Sequence, residues 1–476
     1  MQDRKRVAAA IKDYLARERM SREQFAFKTR LGKSTIDKLL IGLYSDRTLA
    51  IVEHLTKLPL RSPDGQNDNT RPGNTASAPR NPAVGDQPSI AVLPFTNMSG
   101  DAGQDTVADG ITEDIITALA RLRWLFVIAR NSTFVYKGRA ADVRHIARDL
   151  GVRYVLEGSV RTAGPRIRVT GQLIDAESGK HIWAERYDRD LQDIFAMQDD
   201  ITERVVAAVE PYLYAEEGFR ASGKPPDSVD AWGLVVRALG LLSKVDERQN
   251  AEARDLLHRA IALEPRYARA HALLGWSVWW AAHCCWTPDR CGGLARAAEH
   301  AHDAQSFDPA DPWARMVSGL CHSTMGLHDR ALAELRAALD LNPSFALGHT
   351  ALGWALLRAG RFDEAVAETG HALRMSPRDS FAGFYTSIHG LALLGSHRFE
   401  DALPVLRASV AGYAGHYNSL ISCCGHLGLL EEAQEFITAR NRIGPTLRLG
   451  VLRRNLARFA HCEVFVEGLR KAGVPE

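Results

Sequence analysis

Three prolines, Pro309, Pro343 and Pro377, stand 34 residues apart. Pro265 precedes Pro309 by 44 residues, one such period plus a ten-residue insertion, and Pro445 follows Pro377 by 68, two periods. A period of this length fits a pair of helices too small to bury its own apolar face, so the copies must stack. Proline cannot continue a helical hydrogen-bond ladder, so each is expected to end the second helix of a unit. Small residues recur in step. The segment Ala346 to Pro377 carries Leu352-Gly353 in its first helix, Gly360 in the turn, and Ala365 and Ala372 in its second. Gly319, Ala331 and Ala338 take these places one period earlier, Ala253 and Ala260 in the first unit, and Gly275, Ala297 and Ala304 in the second. The stretch Arg398-Phe399-Glu400-Asp401-Ala402 is out of phase by three, and Ala433 restores the phase. Six units are expected, from Leu234 to about Thr446.

This spacing and residue usage resemble the tetratricopeptide-repeat (TPR) family. The resemblance implies an all-α superhelix with a concave groove for peptide or protein partners. Trp276 and Trp354 occupy the same first-helix position in two units and are candidates to anchor a partner; the alternative is packing between repeats. Residues 448–476 look like the tail of such proteins and would cap the last open apolar face. Trp279, Trp280 and Trp286 crowd the insertion of the second unit with His283, Cys284, Cys285 and Cys291. Adjacent cysteines without a second Cys-x-x-Cys pair fit a zinc site poorly, so no metal and no cofactor are expected.

Ahead of the repeats, residues 89–214 read as a small α/β domain. SIAVLPF (89–95) is a short buried strand, GITEDIITALARL (110–122) an amphipathic helix and LFVIAR (125–130) a second strand. A helix from Asp142 to Leu150 is stopped by Gly151. A meander follows, with turns at Ala163-Gly164 and Ser178-Gly179. A helix from Leu191 to Val209 closes the domain before Pro211, and a break from Gly218 to Asp227 precedes the repeats. The motifs AVLPFTN, DGITEDI, YVLEGSVR and GQLIDAESGKHIWAERYDR resemble the N-terminal domain of TolB and related modules. The same block occurs in bacterial regulators resembling CadC and behind the catalytic domain of some class III adenylate cyclases. The resemblance implies contact or sensing, not chemistry. Asp105, Asp109, Glu113 and Asp114 gather near a helix start, where carboxylates favour the macrodipole; metal binding is the rival reading. Ser132, Thr133 and Lys137 either line a small pocket or sit in a loop bonded to its own backbone.

The first 58 residues differ in charge from the rest. They hold 13 Lys and Arg against 7 Asp and Glu, whereas the remainder holds 46 against 50. A basic head suits a polyanion, although charge by itself also fits a solvated small domain. Residues 59–88, with six prolines and almost no large apolar residue, read as a flexible linker. In the head, Val7, Ile11, Tyr14 and Leu15 share one helix face. Ser21 and Gln24 form a capping box. Ser34 caps a helix whose Ile36, Leu39, Leu40 and Leu43 face inward, and Leu49, Val52 and Leu55 line a further one. FAFKTRLGKSTIDKLLIG resembles the Cro-like helix-turn-helix of phage repressors. That family's DNA binding implies that Arg30, Lys33, Ser34, Thr35 and Lys38 face DNA. Arg30 stands where the family usually has glycine.

Seven cysteines at uneven spacing do not form a disulfide framework, which suits a reducing compartment. The N-terminus has no signal-peptide core, and the most apolar stretch, Ala272 to Trp286, is too short to span a bilayer. The expectation is a multidomain cytoplasmic chain that is not an enzyme: head (1–58), linker (59–88), TolB-like α/β domain (89–214), TPR repeats (228–447) and capping helices (448–476). It would bind DNA through the head, with a homodimer open as the DNA-bound form. It would bind a protein or peptide through the groove, with no membrane partner. The alternative is a TPR scaffold or signalling adaptor related to adenylate cyclase accessory regions; 58 residues leave no room for a cyclase catalytic domain.

Overall fold

The computed structural model describes residues 2–17, 20–22, 24–25, 36, 39–40, 52, 56, 88–139, 142–190, 193–223, 229–378, 380–409 and 414–476. They fall into two units, residues 1–80 and 81–476.

In the first unit, helix α1 (Gln2–Arg17) buries Val7, Ile11, Tyr14 and Leu15, the stripe expected from their spacing. They join Phe25, Ile36, Leu39, Leu40 and Val52 in one apolar cluster. The capping box is formed: the Ser21 N–H donates to Gln24 Oε1 at 2.9 Å, and the Gln24 N–H donates to Ser21 Oγ at 3.1 Å. Arg30, Lys33, Ser34, Thr35 and Lys38, the turn at Leu31-Gly32 and residues 59–87 lie outside the described residues.

The second unit begins with a mixed sheet. Strand β1 (Ser89–Val92) is flanked by β3 (Phe126–Val127) and β4 (Tyr154–Ala163), both parallel to it. The short β2 (Thr96–Asn97) also pairs parallel with β4. Antiparallel β5 (Arg166–Asp175) and β6 (Lys180–Asp190) complete the order β3-β1-β4-β5-β6. Gly164 and Gly179 adopt left-handed φ of 59° and 72° at the two hairpin turns. Alternate residues send Tyr154, Leu156, Val160, Ile167, Val169, Leu173, Trp183 and Tyr187 to one face. That face is covered by α2 (Asp105–Leu119) and α4 (Ile194–Ser222). Helix α3 (Val143–Leu150), capped by Asp142 and ended by left-handed Gly151, covers the other face through Ile146 and Ala147.

Helix α4 departs from expectation. It does not end at Val209 but continues through Pro211 to Ser222. Proline lacks the N–H that would bond the carbonyl four residues back. Here that carbonyl, on Ala207, accepts a hydrogen bond from Ser376 Oγ at 3.1 Å, supplied by the repeat array. A tertiary contact thus replaces the bond that proline removes, and the break expected at Gly218 begins after Ser222.

Among the described residues the array forms six helical hairpins. The pairs are α5 (Ala231–Leu242) with α6 (Glu247–Leu263), α7 (Ala268–His283) with α8 (Arg290–Phe307), α9 (Pro312–Met325) with α10 (His328–Leu341), α11 (Ala346–Arg358) with α12 (Phe362–Met375), α13 (Ala382–Gly395) with α14 (Phe399–Ser409), and α15 (Ala414–Leu427) with α16 (Leu430–Ile443). Pro265, Pro309, Pro343, Pro377 and Pro445 each lie two residues beyond a second helix, as their spacing predicts. Close helix approach explains the glycines. A Cβ on Gly353 would overlap Thr369 Cγ2 and lie 3.2 Å from the Ala365 carbonyl oxygen. Gly390 holds this place against Leu406 in the phase-shifted fifth unit. Gly353→Leu is therefore expected to cost about 1–3 kcal/mol by overpacking. Urea unfolding of the full chain checks this; an unmoved midpoint would show that α11 and α12 do not need the close approach.

Helices α17 (Leu449–Leu456) and α18 (Cys462–Lys471) follow, and α18 packs on α15. Ser422 Oγ donates to the Phe465 carbonyl at 2.8 Å, and His426 Nε2 donates to that of Val464 at 2.7 Å. The Arg358 guanidinium lies between the Trp354 and Phe459 rings, 4.3 and 4.5 Å from their centroids, tying this tail to the fourth unit. No described helix is long and apolar enough to cross a membrane.

Candidate binding groove

The first helices of successive hairpins pack side by side, and α4 lies against α5 of the first hairpin and α12 of the fourth. The sequence around Val205-Val206-Ala207-Ala208-Val209 is apolar on every side of a helix, and all five residues are buried. One side meets the sheet, where Val205, Val206, Ala208 and Val209 join its core. The other belongs to the array, where Ala207, Tyr214 and Ala221 join the main repeat core.

Polar contacts fix the position of α4. Glu217, 5% exposed, accepts both bonds from Arg153 Nη1 at 2.7 Å and one from Tyr154 Oη at 2.5 Å. Trp232 Nε1 of α5 reaches the same carboxylate at 3.4 Å. Tyr214 stacks on Trp124 of the α/β domain with centroids 4.4 Å apart, and Trp124 stacks in turn on Trp232 at 5.3 Å. The Tyr214 hydroxyl accepts from Arg269 Nη1 at 2.6 Å, while Arg269 Nε donates to Asp311 Oδ2 at 2.8 Å. Burial pushes the Glu210 carboxyl up, opposed by the Arg269 charge and by hydrogen bonds from Trp124, Asn342 and Tyr214. Further along, His371 Nε2 lies 3.0 Å from Glu203 Oε1, and Arg204 Nη1 donates to the Arg374 carbonyl at 3.0 Å.

Beside α4 a cavity of about 490 Å³ remains open. Tyr214, Phe219, Leu239, Phe345, Phe381 and Tyr385 give it an apolar wall, with Arg237, Lys244 and Glu252 among its polar groups. Phe219, 76% exposed, presents an aromatic ring there to solvent. Such a space suits one or two apolar side chains of a partner segment. A second cavity of about 570 Å³ separates the α/β domain from the first hairpins and mixes Arg121, Arg123 and Arg266 with Asp230, Glu264 and Asp308.

Trp276 and Trp354 do not face this space. They are 1% and 5% exposed. Trp276 packs on Trp313 and Phe381, each 5.5 Å away, and Trp354 on Trp279 and Phe384 at 5.3 and 5.6 Å. Their area is spent between repeats, the alternative that the sequence left open beside partner anchoring. In the insertion, His283 stacks on Trp279 while Cys285 and Cys291 are exposed. Asp105 accepts from Asn97, Asp109 pairs with Lys137 and Glu113 with Arg130, so these carboxylates have local partners. Thr133 Oγ1 donates to the Arg130 carbonyl, so the loop bonds to its own backbone. The residues that sequence reasoning missed are Glu210, Tyr214, Glu217, Arg269 and Asp311; the all-round apolar run at 205–209 was the available signal.

Residues 86–204 match the second domain of the HilA/YgeH-like transcriptional regulators, and residues 319–380 match the tetratricopeptide repeat. A protein of Rhizobium meliloti (strain 1021) described as "Putative adenylate cyclase 3" is 44% identical over 260 residues, 55% of this chain. The chain spans 44% of that relative's length. Among solved structures, a thermophilic TPR protein of Thermus thermophilus is 22% identical, with 41% of this chain and 93% of that one covered and a TM-score of 0.28. TolB from Acinetobacter baumannii is 19% identical, with 26% and 28% covered and a TM-score of 0.20. The chain thus combines a HilA/YgeH-like regulator domain with tetratricopeptide repeats.

Proposed function

We propose that this chain is a cytoplasmic, non-enzymatic transcription regulator. A helix-turn-helix head binds DNA through Arg30, Lys33, Ser34, Thr35 and Lys38, and the TolB-like domain and the array together receive the signal. The observation that carries this reading is the match of residues 86–204 to a domain of transcriptional regulators. The net positive head and its capping box support it. Helix α4 belongs to both the sheet core and the repeat core, so a protein or peptide segment entering the 490 Å³ cavity would touch both. One head offers little contact area, and a homodimer supplies two for paired half-sites.

A salt series of DNA-binding anisotropy, with fragments from upstream of the gene, tests this. Lys33→Ala and Lys38→Ala should each weaken binding to all sequences alike and lower the salt slope by about one unit, as one fewer counterion is released. Thr35→Ala should change sequence preference instead. Equal binding by wild type and the double lysine variant, or none at low salt, would remove the DNA function. The second reading, a scaffold or adaptor related to adenylate cyclase accessory regions, would then stand. It is favoured by the 44% identity to the Rhizobium meliloti protein.

A further inference from the structure

Where α4 crosses the fourth hairpin, four side chains meet from three helices. Glu203 comes from α4, His349 from α11, and Glu368 and His371 from α12. One ligand atom from each of Glu203, His349 and His371 lies within 4.8 Å of the others, and all three residues are partly buried. The two imidazoles meet edge to face with centroids 4.8 Å apart. His371 Nε2 is 3.0 Å from Glu203 Oε1, and His349 Nδ1 is 2.7 Å from Glu368 Oε2.

The His349 ring is oriented from behind. Its Nε2 lies 3.0 Å from the Pro343 carbonyl, which can only accept, so Nε2 carries a proton. His271 makes the same contact to Pro265 two units earlier, so this bond is a feature of the repeat. It leaves Nδ1 of a neutral His349 with a lone pair directed at a carboxylate oxygen 2.7 Å away. Two such groups repel unless a cation lies between them. That cation is either a second proton on the ring or a metal ion. A backbone carbonyl behind a histidine is also the support that metal-bound imidazoles usually have.

We propose that Glu203, His349 and His371, with Glu368 beside them, bind one divalent transition-metal ion of the zinc class that clamps α4 onto the fourth hairpin. With both rings neutral and both carboxylates ionised, the four side chains carry two negative charges, which one divalent ion neutralises. Two imidazole nitrogens and carboxylate oxygens form a donor set that suits zinc. Metal–ligand bonds of about 2.0–2.2 Å place tetrahedral ligand atoms roughly 3.3 Å apart. Glu203 Oε1 and His371 Nε2 already stand 3.0 Å apart, so the approach still needed, at most about 1.5 Å, is that of His349 toward them. The hydrogen bond to Glu203 raises the proton affinity of His371, so a proton competes with the metal there, and the Arg374 charge opposes both.

The test is titration of the metal-free full chain with zinc chloride by calorimetry, and with cobalt(II) by absorption. One equivalent of zinc should bind with a micromolar or tighter dissociation constant. Glu203→Gln and His371→Gln should each weaken it at least tenfold. Bound cobalt should show visible d–d bands without the near-ultraviolet thiolate charge transfer that the exposed Cys285 and Cys291 would produce. The cobalt spectrum of the wild-type chain separates imidazole and carboxylate ligands from thiolates, and His300→Gln, which removes the other possible cluster of His271, His300 and Asp303, should leave the affinity unchanged; a loss there would overturn the proposal. Absence of saturable binding, unchanged affinity in both folded variants, or a thiolate band would each overturn the proposal.

Discussion

Arg269→Met is expected to cost about 3–5 kcal/mol, because it removes one partner from a buried ion pair and leaves the other in place. The Arg269 and Asp311 side chains are 12% and 5% exposed, and Nε to Oδ2 is 2.8 Å. Methionine fills much of the volume but carries no charge, so Asp311 would stay buried without its cation. Glu210 would lose the largest influence opposing its burial, and its carboxyl would be pushed further up, toward protonation. Tyr214 would lose the donor at 2.6 Å that holds it on the array. These losses fall where α4 leaves the sheet and enters the repeats. Hydrogen exchange should therefore rise in residues 205–222 more than in the strands. A double variant, Arg269→Met with Asp311→Asn, separates the stranded charge from the lost contacts. Asparagine keeps the cap that Asp311 Oδ1 gives the Trp313 N–H at 2.9 Å, but it removes that charge. Part of the lost stability should return. Urea unfolding measures both, and a single-variant loss under about 1 kcal/mol would mean that the pair contributes little to holding α4.

The repeats were legible because their constraints are local. Proline disfavours the helix interior whatever its distant neighbours, and glycine is needed where two helices touch, so Pro309, Pro343 and Pro377 with Gly319 and Gly353 mark the hairpins directly. The meander turns at Gly164 and Gly179 were readable for the same reason, since both need a left-handed backbone. What could not be read depends on partners distant in the chain. Pro211 alone predicts a helix end; only Ser376, 165 residues later, explains why the helix goes on. Trp276 and Trp354 look alike as exposed anchors or core residues until Trp313, Phe381 and Phe384 are seen around them. The groove was anticipated as a repeat property. That the chain's own helix would fill part of it was not, because Tyr214 and Arg269 carry no motif linking them. Of the head, the apolar stripe and the capping box agree with expectation, and the proposed DNA-facing residues lie outside the described residues.

Acid should loosen the C-terminal hairpins before carboxylates titrate, through two buried neutral histidines. Burial, aided by the Arg358 charge, pushes His461 down to about 3. Burial pushes His416 down to about 4, against the bond from its Nδ1 to the Ser409 carbonyl at 2.9 Å. Both are well shielded, 3% and 7% exposed. The sign follows from proton counts. Between the unfolded value near 6.5 and these lower values the unfolded chain binds a proton at each site and the folded chain does not, so stability falls as pH falls. At about 1.4 kcal/mol per pH unit, each histidine contributes a loss of roughly 2 kcal/mol between pH 7 and pH 5, and the pair about 4 kcal/mol. His283, also pushed down by burial, acts in the same direction. His371, raised by its hydrogen bond to Glu203, and the raised carboxyl of Glu210 act oppositely, so the informative quantity is a difference between variants. Urea unfolding at pH 7 and pH 5 should show the loss shrinking by about 2 kcal/mol in His461→Gln and again in His416→Gln. In the wild-type chain, hydrogen exchange at pH 5 should rise first in residues 414–476. If the pH dependence is the same in both variants as in wild type, the two rings are not held neutral by burial and the tail is not docked as described.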